Sequence, residues 1–348
     1  MIARALTLGL ALLLPASLAM AAEASFAGKQ VTVLITVAAG GGTDTQARLV
    51  GRFLQRHLTG SPAMVFINMP GAAGVVATNH LVQRTKPDGM TLLAASGEGL
   101  DPATLRNPST HYDSRALVMV GGTSTGGTII VLRKSAMPRL KDSAAEPVVF
   151  GSVSSRTSTV MAVWGAEYLG WHLRWVLGYA STPALTLAIN QGEIDMTGTS
   201  TILQLKQLLG SGDFIGLSQA GSLRGGKLVG REDYPDIPLF PPEIEGRLSG
   251  VAREAFDYFL YTSLVGKWFA LAPDTPADLV EGWRAAYRRT SADPEFLAAA
   301  RAEIGEDFAP MPAEDLTLTA KRLAETSDAA LAFEAGLKSR HGLAGPAN

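Results

Sequence analysis

Apolar positions along the chain fall into a repeating strand–turn–helix rhythm. Residues 31–37 (Val-Thr-Val-Leu-Ile-Thr-Val) are β-branched and apolar throughout, which predicts a buried strand. A glycine-rich turn follows, and then Ala47, Val50, Phe53, Leu54 and Leu58 recur at three- to four-residue spacing, which predicts a helix with Thr43 or Asp44 as its N-cap. Short strands are expected at 65–67 and 91–95, separated by a turn at 68–74, a helix over 75–84 and a turn at 87–89. The middle of the chain repeats the rhythm, with strands at 117–120, 129–132, 148–150, 173–177, 194–197 and 214–217 and helices over 157–169 and 182–191. Residues 210–230 are rich in Gly and Ser and read as a connection. One more strand, 268–272, precedes helices over 276–290, 294–304 and 313–338. Strands alternating with helices at this spacing define an α/β protein with parallel sheets.

Composition narrows the function. The 348 residues suit two domains, and 47% hydrophobic residues supply a core for each. With 30 Lys+Arg against 32 Asp+Glu the net charge is −2, which argues against nucleic acid as a partner. The absence of Cys removes disulfides, thiolate nucleophiles and Cys-type zinc sites. The N-terminus adds the compartment. Arg4, an uncharged apolar run from Ala5 to Leu14 and the small-x-small site Ala19-Met20-Ala21 read as a cleavable signal peptide over residues 1–21, hence export to the periplasm.

Two junctions carry candidate chemistry. Ala38, Ala39, Gly40, Gly41, Gly42, Thr43 and Asp44 end a strand and open a helix, so peptide N–H groups and the helix N-terminus can hold an anion without a basic side chain. Residues 150–159 repeat that logic, with Gly151, Ser152, Ser154, Ser155, Arg156 and Thr157 converging on a second helix start. Two such starts in different halves of the chain suggest two lobes closing on a diacid or similar ligand. Competing motifs are weaker. Gly122-Thr-Ser-Thr-Gly126 matches the nucleophile-elbow pattern around Ser124, but a strand follows where an elbow needs a helix. Gly221-Ser-Leu-Arg-Gly-Gly-Lys227 imitates a phosphate loop, yet Leu228 stands where Ser or Thr must hold Mg²⁺. The five His show no metal-binding spacing, so no metal or other cofactor is expected. Trp164, Trp171 and Trp175 read first as core and second as a wall for a ring-containing ligand.

Taken in order, several short pieces give the chain a family resemblance. They are Ala38 to Asp44 with Ala47-Arg48, Asn68-Met-Pro-Gly-Ala-Ala-Gly74, Lys86-Pro-Asp-Gly-Met-Thr-Leu-Leu93, Phe150-Gly-Ser152, Gly178-Tyr179, Gly192-Glu-Ile-Asp195, Pro235-Asp-Ile-Pro238 and Trp268-Phe-Ala-Leu-Ala-Pro273 with Thr275-Pro276. The chain resembles the periplasmic solute-binding proteins of tripartite tricarboxylate transporters, the Bug-type receptors. The resemblance implies a type II periplasmic-binding-protein fold, two α/β lobes joined by two crossover strands with the ligand cleft between them. Lobe 1 would take 23–122 plus 232–348, and lobe 2 would take 123–231. It further implies a monomeric, non-enzymatic receptor that captures a small organic acid and delivers it to membrane permease subunits. By the same correspondence Ser96 and Gly97 line lobe 1, and Tyr179 with Thr197, Gly198, Thr199 and Ser200 completes the pocket. Three departures stand out: Thr36-Val37 replace a Pro-aromatic pair, Arg156 stands in a loop that normally relies on glycines, Ser and His, and 241–267 is longer and more aromatic. Arg156 therefore becomes a candidate guanidinium clamp for a carboxylate. The readings from other classes are an exported serine hydrolase using Ser124 and a ligand-sensing subunit with the same fold.

Overall fold

The structure, a computed structural model, describes residues 25–125, 127–153, 157–305 and 308–343. The expected signal peptide and Ser154, Ser155 and Arg156 lie outside the described residues.

A strand that is apolar at nearly every position has to be covered on both faces, and β1 (Gln30–Ile35) is. Val31, Val33 and Ile35 pack with α1 (Gly42–His57), whereas Leu34 packs with α2 (Val75–Arg84). Beside β1 lie β2 (Ala63–Asn68) and β3 (Thr91–Ser96), both parallel to it. After a short α3 (Pro102–Leu105), β4 (Val118–Thr125) leaves this region toward the second half of the chain. That half holds β5 (Ile129–Arg133), β6 (Val148–Ser152), α4 (Thr157–Leu169), β7 (Leu173–Leu177), α5 (Thr182–Gln191), β8 (Met196–Thr199), α6 (Ile202–Gly210) and β9 (Phe214–Gln219). The chain then returns through β10 (Ser222–Arg224) and β11 (Lys227–Val229), α7 (Phe240–Ile244) and α8 (Gly250–Leu264). It ends with β12 (Lys267–Leu271), α9 (Ala277–Ala292), α10 (Pro294–Glu303), β13 (Phe308–Pro312), α11 (Ala313–Ala324) and α12 (Asp328–Arg340).

Two separate sheets result, ordered β13-β4-β12-β3-β1-β2 and β7-β6-β8-β5-β9. Each is mainly parallel with antiparallel insertions: β12 and β13 in the first, β5 in the second. The two-lobed α/β architecture is the one expected.

Several elements differ from the sequence reading. The strand expected at 117–120 runs on to Thr125, because its glycine- and threonine-rich end pairs with both β12 and β13. A Cβ on Gly121 would meet the Tyr287 ring at 2.3 Å, so only glycine admits that buried ring against the strand. Strand β13 contains Pro310 and Pro312, which masks it in the sequence, and it occupies a sheet edge where a missing N–H is tolerated. The Gly/Ser-rich connection contains the β10–β11 hairpin, turned by Gly225 and Gly226 at φ of +56° and +73°. Both turn N–H groups donate to the Asp315 carboxylate, which ties the hairpin to α11. The single helix expected at 313–338 is two, because Ser327 caps a new start by accepting from the Ala330 N–H.

The core around α4 has Trp164 at its centre, fully buried, with Trp171 beside it. Phe240, Phe256, Ala330 and Leu337 join the same cluster, so α7, α8 and α12 cover the second sheet. Further along α8, Leu260 and Leu264 enter the core of the first sheet, and this helix bridges the two lobes.

Candidate functional site

The position of the cleft follows from chain connectivity. Thr125 ends β4 and Ile129 begins β5, four Cα steps that span at most roughly 14 Å. In the first sheet β4 runs parallel to β1, β2 and β3, so Thr125 marks the rim where their C-terminal ends lie. In the second sheet Ile129 pairs with Thr199 and Gln219, at the C-terminal ends of β8 and β9. The crossing therefore holds the two C-terminal rims against each other, which is where open α/β sheets bind ligands. The return crossing runs alongside: Ala220 donates to the Thr128 carbonyl, and a Cβ on Gly127 would lie 2.7 Å from the Gly221 oxygen.

On the first rim, Ala38, Ala39 and Gly40 are exposed, and Gly40 turns the loop at φ +83°. The N-cap of α1 is Gly41 rather than Thr43 or Asp44, and no side chain caps the helix. Its first-turn N–H groups therefore look outward at a glycine-lined opening. Asp44, expected to line the ligand, is instead buried at 3% exposure and turned inward. Its carboxylate accepts from Gly40 N (2.8 Å), Arg48 Nε (2.9 Å) and Asn68 Nδ2 (2.8 Å). Hydrogen bonding from Arg48 leads the effects that hold its pKa at about 2, with Gly40 and Asn68 assisting against a burial that pushes the other way. Asn68 also donates to the Val37 carbonyl, so the network pins both ends of the loop. Asp44 thus shapes the loop, and Arg48 balances its charge.

Ser96 ends β3 and Gly97 follows it on the same rim, both half-buried, and Gly97 N donates to the Gly266 carbonyl. Ser96 pairs with Lys267 of β12, and Lys267 pairs with Thr123 of β4. Residues directly opposite in an antiparallel pair share a face, so these three form a row on one side of the sheet. Thr123 Oγ1 accepts from Gln46 Nε2 of α1 (2.7 Å) and from the Lys267 backbone (3.2 Å), which places α1 over that row.

On the second rim the described residues divide by role. Ser152 is buried, its Oγ 3.4 Å from that of Ser158, and its carbonyl accepts from Gly178 N. Thr197 is fully buried and donates to the Gly151 carbonyl, a structural contact. Gly198 lets α4 approach β8, since a Cβ there would fall 2.6 Å from Ser158 Cβ. Thr199 Oγ1 accepts from Thr201 N at the start of α6. Tyr179 gives its hydroxyl to Glu193 (2.6 Å), and its pKa rises to about 12 through burial first and that carboxylate second. Ser200 offers its carbonyl to Arg231 Nη1 (2.9 Å). Arg231 is 8% exposed, grips Asp233 through Nε and Nη2, and takes the Gln219 side chain on its backbone N–H. It thereby joins the β8–α6 turn to the return crossing. Nothing in the sequence marked Arg231 or Lys267, because neither belongs to a motif.

Ser124 sits within β4, opposite Ala309 of β13, so it is in a ladder and not on an elbow. A cavity of about 350 Å³ borders it, lined also by Ser222, Arg224, Tyr287, Arg288 and Pro310. Among the described residues that line the cavity there is no His, Asp or Glu to act as the general base a serine nucleophile requires. Among the described residues no group of three or more His, Asp or Glu is placed to hold a metal ion, and no helix is long and apolar enough to cross a membrane.

Two lobes meeting at their C-terminal rims, with the uncapped start of α1 on the first of them, define a two-lobed periplasmic-binding-protein fold. The solved structure of a TctC solute-binding protein from Polaromonas has this fold: TM-score 0.65 at 16% sequence identity, covering 91% of this chain and 100% of that one. Weaker likenesses extend to MatC from Rhodopseudomonas palustris with bound malate (TM-score 0.46, 19% identity, 86% of this chain and 98% of that one). A second R. palustris protein, with adipate, gives TM-score 0.49 at 18% identity over 90% of this chain and 97% of that one. No family model matches the chain, and no curated protein matches it in sequence.

Proposed function

We propose that this protein is a periplasmic receptor that captures a small organic acid between its lobes and delivers it to the membrane permease subunits of a tripartite tricarboxylate-type transporter. The observation that carries the reading is the uncapped start of α1, opening through Gly40–Gly42 onto the gap between the two rims. Helix N-terminal amides bind carboxylate without a basic excess, which agrees with a net charge of −2. The signal-type N-terminus supports export. Binding closes the lobes about the paired crossings at Gly127 and Gly221, and the receptor performs no chemistry on its ligand.

In this reading the segment 151–157 caps the far end of the ligand, with Arg156 as its charged contact. Thermal denaturation against mono-, di- and tricarboxylates tests the function. An acid that binds will stabilise the protein by about 2.7 kcal/mol at 100 times its dissociation constant. A panel in which no carboxylate shifts the transition overturns the reading. For Arg156→Ala we expect roughly 10- to 100-fold weaker binding of the acid that scores, the worth of a charge-assisted pair. An unchanged dissociation constant removes Arg156 from the site.

A further inference from the structure

Lys267 is the residue whose position calls for a ligand. It opens β12 at the C-terminal rim of the first sheet, between Ser96 and Thr123. Phe269 and Leu271, two and four residues on, enter the core shared with α1, so strand alternation puts the Lys267 side chain on the α1 side, at the last position before the gap. The side chain is half-buried, and burial pulls its pKa below the usual lysine value, with Glu98 partly opposing. Among the described residues the Lys267 ammonium is in no ion pair, and the charge that acts on it is that of Glu98. The neighbouring Thr123 oxygen is already taken by Gln46 and by the Lys267 backbone. A partly desolvated ammonium without an ion-pair partner is costly, and an anion arriving in the gap recovers that cost.

Resting on the receptor function above, we propose that Lys267 is the charged contact for one carboxylate of the ligand in lobe 1, with the Ser96 hydroxyl and the α1 N-terminal amides beside it. A carboxylate seated there meets an ammonium from β12 and helix donors from α1. The arrangement favours ligands with a carboxylate at the end that enters lobe 1 over isosteric amides or alcohols.

Isothermal titration of the purified protein with succinate, glutarate, adipate and their mono-amides tests this. We expect Lys267→Met to bind the diacid that scores about 10- to 100-fold more weakly, and Lys267→Arg to keep affinity within a few-fold. Without ligand, Lys267→Met is expected to melt no lower than the wild type, because it removes a buried charge. A titration of the ¹³C-dimethylated lysines should also show the Lys267 pKa rise when the diacid is bound, which a purely structural lysine would not do. Wild-type protein that binds an acid while Lys267→Met binds it equally well overturns the role of Lys267 and leaves the receptor function standing. Wild-type protein that binds none of the acids overturns both.

Discussion

Asp44→Ala is expected to destabilise the protein by about 2–4 kcal/mol and to weaken binding of any ligand held by the first loop. Alanine leaves the Gly40 N–H, the Asn68 amide and the Arg48 guanidinium without their shared acceptor. Each unsatisfied buried donor costs about 1–3 kcal/mol, reduced here because the exposed loop lets water reach some of them. The same carboxylate predicts an acid limb of stability. Its folded pKa, about 2, lies below the ordinary aspartate value of 3.8, so its stabilisation is fully present above pH 4 and is lost as the pH falls through 2. That shift corresponds to about 2 kcal/mol. Urea denaturation of both proteins at pH 7 and at pH 2 measures both effects. The gap between wild type and Asp44→Ala should narrow at the lower pH, and equal midpoints at pH 7 would show that the network contributes nothing.

Trp164→Ala should cost more, about 3–5 kcal/mol, by opening a large cavity in the core around α4. Its indole stacks on Tyr168 with centroids 5.4 Å apart and on Phe333 at 6.1 Å, and meets Phe256 edge-on at 5.2 Å. One side chain thus ties α4 to α8 and α12. The indole N–H is buried with no hydrogen-bond partner among the described residues, so Trp164→Phe discards an unsatisfied donor and should lose only about 1 kcal/mol. Thermal melts of the two variants give this ordering. A ligand wall would behave otherwise, with unchanged melting and a large loss of affinity; that result would return Trp164 to the binding site.

These two residues show how far the sequence could be read. Trp164 was legible as core because helix 157–169 is apolar on almost every side and so has to be covered all round. Asp44 was legible as important but not in its role. Its place just inside a helix suggested a cap or a ligand contact, whereas the acceptor geometry depends on Asn68, 24 residues away on β2. Lys267 was invisible, since a lysine before an apolar strand is ordinary until β3 and β4 close on either side of it. The same holds for β13, whose two prolines speak against a strand except at an edge, and for Arg231, whose partners lie on the β8–α6 turn and near the crossing.

What the sequence determined by itself is the set of strands and helices with local periodic signals, the two glycine- and serine-rich helix starts, and a resemblance good enough to expect two lobes. Those signals live in neighbouring residues, where backbone sterics and hydrophobic spacing act. Only the tertiary structure decided which rims face each other, which side chains hold the Asp44 carboxylate, and which residues flank Lys267 at the end of the first sheet. Such facts are set by strand pairing and burial between distant segments, and electrostatics depends on distances that no local pattern encodes.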